Sequence, residues 1–575
     1  MSRPCPFDVR EVPFSTKGSW ISLSPVTGPH TTAEQIHLDS HVDGLRAVIR
    51  LQPERDDRPI EARWIADATR LRWLADDGGR VDATFDGPTT LRLRGSGLSL
   101  RAVDPSGTLT SFTGTYLVTD PVDGAAVFTS YETGRRYRIR SLSGSIDVLG
   151  AESLGRADRA VALGADGGDW EAEITETTGR SLPPEPTRTF DDLLAANDLA
   201  FLDWLDRLAP WRDDSTPAAA LAAYVLWSAT VSAEGEFTRD AVLMSKHWMN
   251  RVWSWDHAFN ALALADGHAD LAIDQFLTPF DHQDESGALP DSIGHSNLLW
   301  NFVKPPIHGW AFRRLRAALD RPLTTDELGE VHDRLAAWTR HWLDHRRVPG
   351  TALPYYQHGN DSGWDNATTF DGGSVVESPD LAAFLILQLE VLDELATELR
   401  RPAARWRTER DRVLDALLGE LWTPDGFTAR RIPSSERSSR TSLLMTIPLV
   451  LGMRLPEDVR AVLISNLDEH LTEFGAATEP PTSPAYDPDG YWRGPIWAPS
   501  TALLESALRD SGHPDRADEL SIRFRALCER SGFAENFDAL TGDGLRDRAY
   551  TWTASVYLTM CADAVRRQRR SSDRP

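Results

Sequence analysis

The sequence predicts an α+β multidomain protein, with an N-terminal antiparallel β-sandwich followed by an all-α toroid of helix pairs. Three observations carry that reading. Up to about residue 178, apolar and polar residues alternate in short runs broken by Gly-containing turns. A proline-rich stretch, Thr178 to Phe190 (TGRSLPPEPTRTF), then opposes both helix and sheet. Beyond it the apolar period lengthens to that of a helix. The expected domains are therefore 1–178 (β-sandwich), 179–190 (linker) and 191–575 (helical toroid).

In the first part, Thr89 to Val103 (TTLRLRGSGLSLRAV) and Ala125 to Leu142 (AAVFTSYETGRRYRIRSL) read as period-two strands, and their hairpin-like spacing points to antiparallel sheets packed on each other. From Asp191, the run DDLLAANDLAFLDWLDRLAP puts Leu194, Asp198, Phe201, Leu202, Leu205 and Leu208 near one helical face, and Pro210 stops it. Similar patterns recur at 217–232, 255–279, 305–319, 325–346, 378–400, 402–422, 456–473, 495–512 and 551–568. At the fifth of these, Ser378 can cap, Pro379 occupies the first turn and Asp380 suits the positive helix end. A plain bundle would use the same helices. The toroid is preferred because the connections repeatedly carry Trp, Asp, Gly and Pro together, as if one end of a helical ring lined a pocket. No short internal repeat supports a solenoid.

The chain of 575 residues carries 61 Lys and Arg against 86 Asp and Glu, a formal charge of −25 that is not gathered in one run. That balance argues against a nucleic-acid backbone or an anionic membrane surface as partner and suits a small neutral ligand. Cys5, Cys528 and Cys561 are odd in number and form no CxxC pair, so neither a disulfide framework nor a zinc site is indicated. The N-terminal MSRPCPFDVREVPF lacks the apolar core of a signal peptide, and no run of about 18 apolar residues occurs, so a cytoplasmic location is expected.

Twenty tryptophans stand against ten tyrosines, many of them beside Asp, Asn, Gly and Arg. Packing accounts for much indole, but as a set they suggest sugar faces, because an indole offers a flat apolar surface and an N–H at its edge. Five clusters stand out. HWMNRVWSWDHAF holds Trp253, Trp255 and Asp256; the last reads equally as a helix cap or a ligand carboxylate. The segment Asp274 to Ala311 carries Trp300 and Lys304, and its DESG lacks the alternating oxygen ligands of a calcium loop, so no metal site follows. GNDSGWDNATTF sets Trp364, Asp365 and Asn366 side by side; DPDGYWRGPIWAPST holds Tyr491, Trp492, Arg493 and Trp497; GFAENFDALTGDGLRD places Glu535 before a turn-rich loop. Two isolated carboxylates among Trp, Gly and Asn suit glycosidic cleavage, which needs a proton donor to the leaving oxygen and a partner opposite. His247, His257 and His308 are scattered and read as packing or loop residues. There is no G-x-S-x-G elbow or Walker loop, and GRADRAVALGADGG (Gly155 to Gly168) lacks the spacing of a dinucleotide fingerprint, so no cofactor is expected.

The ordered motifs WSWDHAF, LPD, KPPIHGWA, SGWDN, GYWRGPIW and ENFDALTGDGLRD…YTWTAS, over about residues 240–560, resemble glycoside hydrolase family 63 and its trehalase and glucoamylase relatives of the (α/α)6-barrel clan. The resemblance implies hydrolysis of an α-glucosidic bond with inversion, Asp365 being the general acid and Glu535 the general base. It places Trp255 and Asp256 in a glucose subsite, with Asp256 accepting from sugar hydroxyls. Trp492, Arg493 and Trp497 would line the pocket, with Trp253, Trp300, Lys304, Trp364, Asn366 and Tyr491 as neighbours. A short walled pocket implies removal of one terminal sugar. In relatives that hydrolyse glucosylglycerate or mannosylglycerate, a Gln lies near the start of the final helix, where this chain reads RAYTWTA with Tyr550. The reading is thus an exo-α-glucosidase acting on a small oligosaccharide or glucoside. The alternatives are a glycerate-glycoside or trehalose hydrolase, an inverting phosphorylase on the same barrel, and a sugar-binding protein without catalysis.

Overall fold

The computed structural model describes residues 5–106, 108–164, 167–179 and 184–572. Packing divides the chain into two compact units. One comprises Met1–Asp206, Ala223–Arg251 and Gly294–Ser296; the other comprises Arg207–Ala222, Val252–Ile293 and Asn297–Pro575. Within the expected linker, residues 180–183 lie outside the described residues. By type of secondary structure we propose 179–190 as the linker between a domain ending at 178 and one starting at 191, while compactness draws the line differently.

The first unit is built on two antiparallel sheets. One runs, in spatial order, Ile21–Gly28, Thr31–Ser40, Arg46–Arg55, Ser99–Val103, Ala160–Leu163 and Ile146–Leu149, with Arg58–Pro59 pairing off the third strand. The other runs Thr115–Thr119, Ala126–Ser130, Arg136–Ser143, Trp170–Thr177, Thr90–Ser96, Arg80–Phe85, Leu71–Leu74 and Arg63–Ala66. Alternate side chains from both sheets, among them Leu23, Leu38, Leu51 and Leu100 from the first and Trp73, Leu93, Phe128 and Ile174 from the second, share one buried core. This is the expected sandwich. The Ala126–Ser130 and Arg136–Ser143 strands pair as a hairpin with Ala126 opposite Ile139. The strands of TTLRLRGSGLSLRAV, in contrast, part at Gly97 and enter different sheets.

Helix α1 (Phe190–Leu208) buries Leu193, Phe201, Trp204, Leu205 and Leu208, while Leu202 is 38 % exposed, so its inward face is rotated from the one read in the sequence. Helix α2 spans Ala219–Ala229. The expected helix at 255–279 is two, α3 (His257–Leu264) and α4 (Ala269–Asp281), parted at Gly267 with φ +117°. Then follow α5 (His308–Ala318), α6 (Thr325–Asp344), α7 (Pro379–Glu398), α8 (Ala404–Ala416), a 3-10 segment Leu443–Arg454, α9 (Glu457–His470), α10 (Ala498–Asp510), α11 (Pro514–Ser531) and α12 (Thr551–Ser572). Ser378 does occupy the N-cap of α7, yet its hydroxyl bonds Asp380 rather than a helix N–H.

Contacts in the second unit close into a ring: α3 on α5, α5 on α7, α7 on Leu443–Arg454, that segment on α10, α10 on α12, and α12 back on α3. The connecting helices α4, α6, α8, α9 and α11 pack against its members. This is the (α/α)6 arrangement. The start of α7 is covered on all sides and accordingly apolar: its run Leu381 to Leu389 is wholly buried. Closure requires close approach. A Cβ on Gly309 of α5 would stand 2.3 Å from Cα of Gln388 in α7, and Gln388 in turn donates to Thr339 Oγ1 of α6 at 2.9 Å.

Gly309→Ala therefore forces α5 and α7 apart and lowers the unfolding free energy by about 1–3 kcal/mol. The check is urea unfolding, with the midpoint lowered and the slope unchanged; an unchanged midpoint would contradict the close approach.

Candidate active site

The site is assembled from the loops that lead into ring helices, and all of its residues belong to the second unit. Ahead of α3, Val252–Trp253 pairs with Ser292–Ile293, which pairs with Leu298–Leu299. This small sheet delivers Trp255 and Asp256 to the helix start and holds Asp291 beside them through its N–H to the Leu299 carbonyl at 2.9 Å. Asp256 sits at the N-cap of α3 but makes no side-chain cap bond, so the capping reading gives way. Its carboxyl is 5 % exposed and pushed up to about 8 by burial, with Lys304 opposing. That rise favours the protonated form, which can donate to a hydroxyl as well as accept, where the resemblance implied acceptance alone.

The loop ahead of α7 is fixed by Asp361. Its carboxylate accepts from the Val303 N–H at 3.1 Å, the Gln357 N–H at 2.8 Å and Arg346 at 2.9 Å. Ser362 donates to the Gly359 carbonyl at 2.6 Å and accepts from the Trp364 N–H at 3.1 Å. Gly363 takes φ +74°, and a Cβ there would meet the Trp255 ring at 2.6 Å, so only glycine lets this turn lie against that indole. Asp365 follows with its side chain 29 % exposed, in a recess deep enough that burial raises its pKa; Lys304 and His358 oppose this rise and Asp291 adds to it.

Trp364 packs on Trp492 with ring centroids 4.6 Å apart, and Trp492 stacks on Trp497 at 4.0 Å and 5°. Trp552 stands edge-on to Trp255 and to Trp497, at 5.7 and 5.5 Å. Asn366 ties the loops together: its Nδ2 donates to the Gly490 carbonyl and its Oδ1 accepts from the Trp492 N–H, both at 3.0 Å. Arg493 donates Nε to the Asn366 carbonyl at 2.7 Å and pairs with Asp371, so its guanidinium pins the two loops together. Trp497 Nε1 donates to the Tyr491 carbonyl at 2.8 Å. Trp253 is half-buried in its strand, whereas Trp300 is 46 % exposed and outside the indole cluster.

The last loop carries Glu535, whose N–H donates to the Asp547 carbonyl at 2.7 Å. Asn536–Phe537 pairs with Gly544–Leu545, and Phe537 exchanges backbone bonds with Ile496. Glu535 is 3 % exposed, and burial pushes it up to about 8; Asp547 and Asp365 add to the rise, while Arg546 and a hydrogen bond from the Tyr491 hydroxyl oppose it. Tyr491 and Arg546 both hold φ above +60°, a strained left-handed conformation for side-chain-bearing residues. The Arg546 guanidinium lies over the Tyr491 ring at 5.1 Å, donates to Asn536 Oδ1 at 2.8 Å and pairs with Asp489 at 2.8 Å.

The structure thus gathers Trp255, Asp256, Lys304, Trp364, Asp365, Asn366, Tyr491, Trp492, Arg493, Trp497 and Glu535. It adds Asp291, Asp361, Asp547 and Trp552, which sequence reasoning did not assign to the site, and Tyr550, which it noted only as a departure. Tyr550 is buried and electrostatically coupled to Glu535. His308 donates Nε2–H to the Ser254 carbonyl at 3.0 Å, a packing role as read. A cavity of about 250 Å³ lies among α3, α5, α10 and α12, lined by Phe259, Trp310, Ser506 and Met560, with Arg566 also in its lining. Among the described residues, no group of three or more His, Cys, Asp or Glu side chains could hold a metal ion, and no helix is long and apolar enough to cross a membrane.

Comparison with known proteins accords with this assembly. The chain is 26 % identical over 420 residues to a mannosylglycerate hydrolase of Rubrobacter radiotolerans, covering 56 % of this chain and 92 % of that one. It is 24 % identical over 449 residues to a glucosylglycerate hydrolase of Mycolicibacterium hassiacum, covering 60 % and 97 %. Among solved structures, a family 63 mannosylglycerate hydrolase of Thermus thermophilus in complex with glucose superposes with TM-score 0.52 at 24 % identity, over 59 % of this chain and 98 % of that one. A bacterial glucoamylase complexed with acarbose superposes with TM-score 0.64 at 10 % identity over 98 % and 95 %, a likeness of fold that takes in the β-sandwich as well. The family described as the mannosylglycerate hydrolase MGH1-like glycoside hydrolase domain matches residues 249–553, a span that runs from the Trp253 strand to the first turn of α12 and takes in every loop of the site. By that match the chain belongs to this family of glycoside hydrolases, within glycoside hydrolase family 63.

Proposed function

We propose that the chain is an inverting, exo-acting glycosidase that removes one terminal α-linked sugar from a small glycoside, with Asp365 as general acid and Glu535 as general base. One observation carries the reading: two carboxyls 170 positions apart in sequence sit in separate hydrogen-bonded loops of one indole-walled recess, each within electrostatic reach of the other. In the reaction, Asp365 gives its proton to the glycosidic oxygen as that oxygen leaves the anomeric carbon. A water attacks the opposite face of the same carbon and passes its proton to Glu535. Burial favours the protonated form of Asp365, as an acid requires. Burial lifts Glu535 to about 8, and Arg546 and the Tyr491 hydroxyl work against that rise, so the base acts once the pH approaches that value.

The charges bear on the aglycone. Lys304 is engaged by Asp291 and Asp365, Arg493 by Asp371 and Arg546 by Asp489. With these cations already paired, a neutral aglycone fits better than an anionic one, which favours a small glucoside or gluco-oligosaccharide. The second reading is a glycerate glycoside, the substrate class in the names of the relatives. It requires an arginine to exchange its carboxylate for that of glycerate, and Arg493 is exposed enough to do so, at 31 %.

Proton NMR during hydrolysis of a panel of α-glucosides, glucosylglycerate and mannosylglycerate separates these readings, with the β-anomer as the first sugar released from an α-glycoside. The α-anomer would overturn inversion, and turnover of none would leave a binding protein. Asp365→Asn and Glu535→Gln should each lower kcat by about 10²–10⁴-fold while sugar binding persists; full activity in either would remove its assignment. The pH dependence adds a second check. With a dinitrophenyl glycoside, whose leaving group needs no proton, kcat/KM should rise with pH through a single ionisation near 8, because Glu535 must lose its proton. A rise centred near 5 would contradict the buried base.

A further inference from the structure

Lys304 is 5 % exposed and stands in the KPP turn before α5, among three carboxyls. Its ammonium donates to the Asn360 carbonyl at 2.8 Å and pairs with Asp291 at 3.2 Å; Asp365 lies 3.9 Å away. An ammonium has three N–H donors. One is held by the backbone of the loop that carries Asp365; Asp291 faces the ammonium at ion-pair distance, and Asp365 stands beyond hydrogen-bond reach on another side. Burial would lower the pKa of such a group, but Asp365, Asp291 and Asp256 together hold it above the ordinary lysine value, so it stays charged.

We propose that Lys304 is a positioning residue of the acid step: clamped by Asn360 and Asp291, it orients the Asp365 carboxyl and neutralises the carboxylate left once the proton has gone to the glycosidic oxygen. The inference rests on the assignment of Asp365 as acid. In a dry recess a newly formed carboxylate is costly unless a cation is already in place. Lys304 supplies that charge without moving, because its other contacts fix it. Asp365 is otherwise faced by Asp291, Asp256 and Glu535, by the Tyr491 hydroxyl and by His358, so Lys304 is the permanent cation of the set.

The test compares Lys304→Met, Lys304→Arg and Lys304→Ala in the full-length enzyme on two substrates of one sugar, a methyl or alkyl glycoside and a dinitrophenyl glycoside. Loss of the cation should cost about 10²-fold in kcat on the alkyl glycoside, with KM little changed, and under about 10-fold on the aryl glycoside, which needs no acid. The alkaline limb of kcat/KM should move to higher pH in Lys304→Met, because the charge that opposed protonation of Asp365 is gone. Lys304→Arg should restore most of the alkyl-glycoside rate, and added methylammonium should restore part of it in Lys304→Ala. Equal losses on both substrates, an unmoved alkaline limb, or a Lys304→Ala enzyme indifferent to methylammonium would overturn the proposal. A wild-type enzyme that hydrolyses neither substrate would instead bring down the functional reading on which it rests.

Discussion

The packing of Trp364 on Trp492 and the stacking of Trp492 on Trp497 form the contact on which the rest of the site depends. Trp364 immediately precedes Asp365, and Trp492 immediately follows Tyr491, whose hydroxyl reaches Glu535. Packing two indoles together therefore brings the loop of one carboxyl against the loop that holds the other. Aromatic pairs of this kind contribute about 0.5–1.5 kcal/mol beyond their buried area, but here their geometric effect is the larger one. Asn366 reinforces it by bonding both sides of the neighbouring turn, at Gly490 and Trp492.

The same indoles exclude water, and the electrostatics follow from that exclusion. Asp256, Asp291, Asp365 and Lys304 occupy one recess in which isolated charge is expensive. Burial pushes Asp256 up to about 8 and shifts Asp365 in the same direction, with Lys304 opposing both. Glu535, beside the Tyr491 hydroxyl, is pushed as high by burial, with Arg546 and that phenolic donor opposing the rise. Both carboxyls are raised by burial, and what differs is the cation beside each, Lys304 at Asp365 and Arg546 at Glu535. The strained backbones of Tyr491 and Arg546 are held by the stacking of one on the other and by the Asp489 ion pair.

Much of this was legible in the sequence, for identifiable reasons. Period-two runs pointed to the sandwich because each strand there has one face on a common core, as in Ala126–Ser130 opposite Arg136–Ser143. Periodicity was silent on which sheet a strand joins, so Thr90–Ser96 and Ser99–Val103, separated by a short glycine turn, went to different sheets. Two helical segments escaped notice. Leu443–Arg454 is apolar on every side and interrupted by Pro448 and Gly452, so it shows no stripe. In α11, Leu520, Phe524, Leu527 and Cys528 do make a stripe, following Pro514 in the first turn, and that signal was there to be read. At the site, motif order brought most residues together, but not their partners. That Arg493 is spent on Asp371, that Asp361 organises a loop and that Asp291 shares Lys304 are facts of distance between separate loops, invisible to any local pattern.

The central claim is that Asp365 and Glu535 work on one sugar from opposite faces. A crystal structure of the Glu535→Gln variant with an intact glycoside tests it most directly. The account predicts the anomeric carbon between the two side chains, the Asp365 carboxyl in hydrogen-bond reach of the glycosidic oxygen, and a separation of roughly 6.5–9.5 Å between the two side-chain groups, with a water between residue 535 and the sugar. A sugar bound away from either residue, or a separation of about 5 Å that leaves no room for the water, would contradict it.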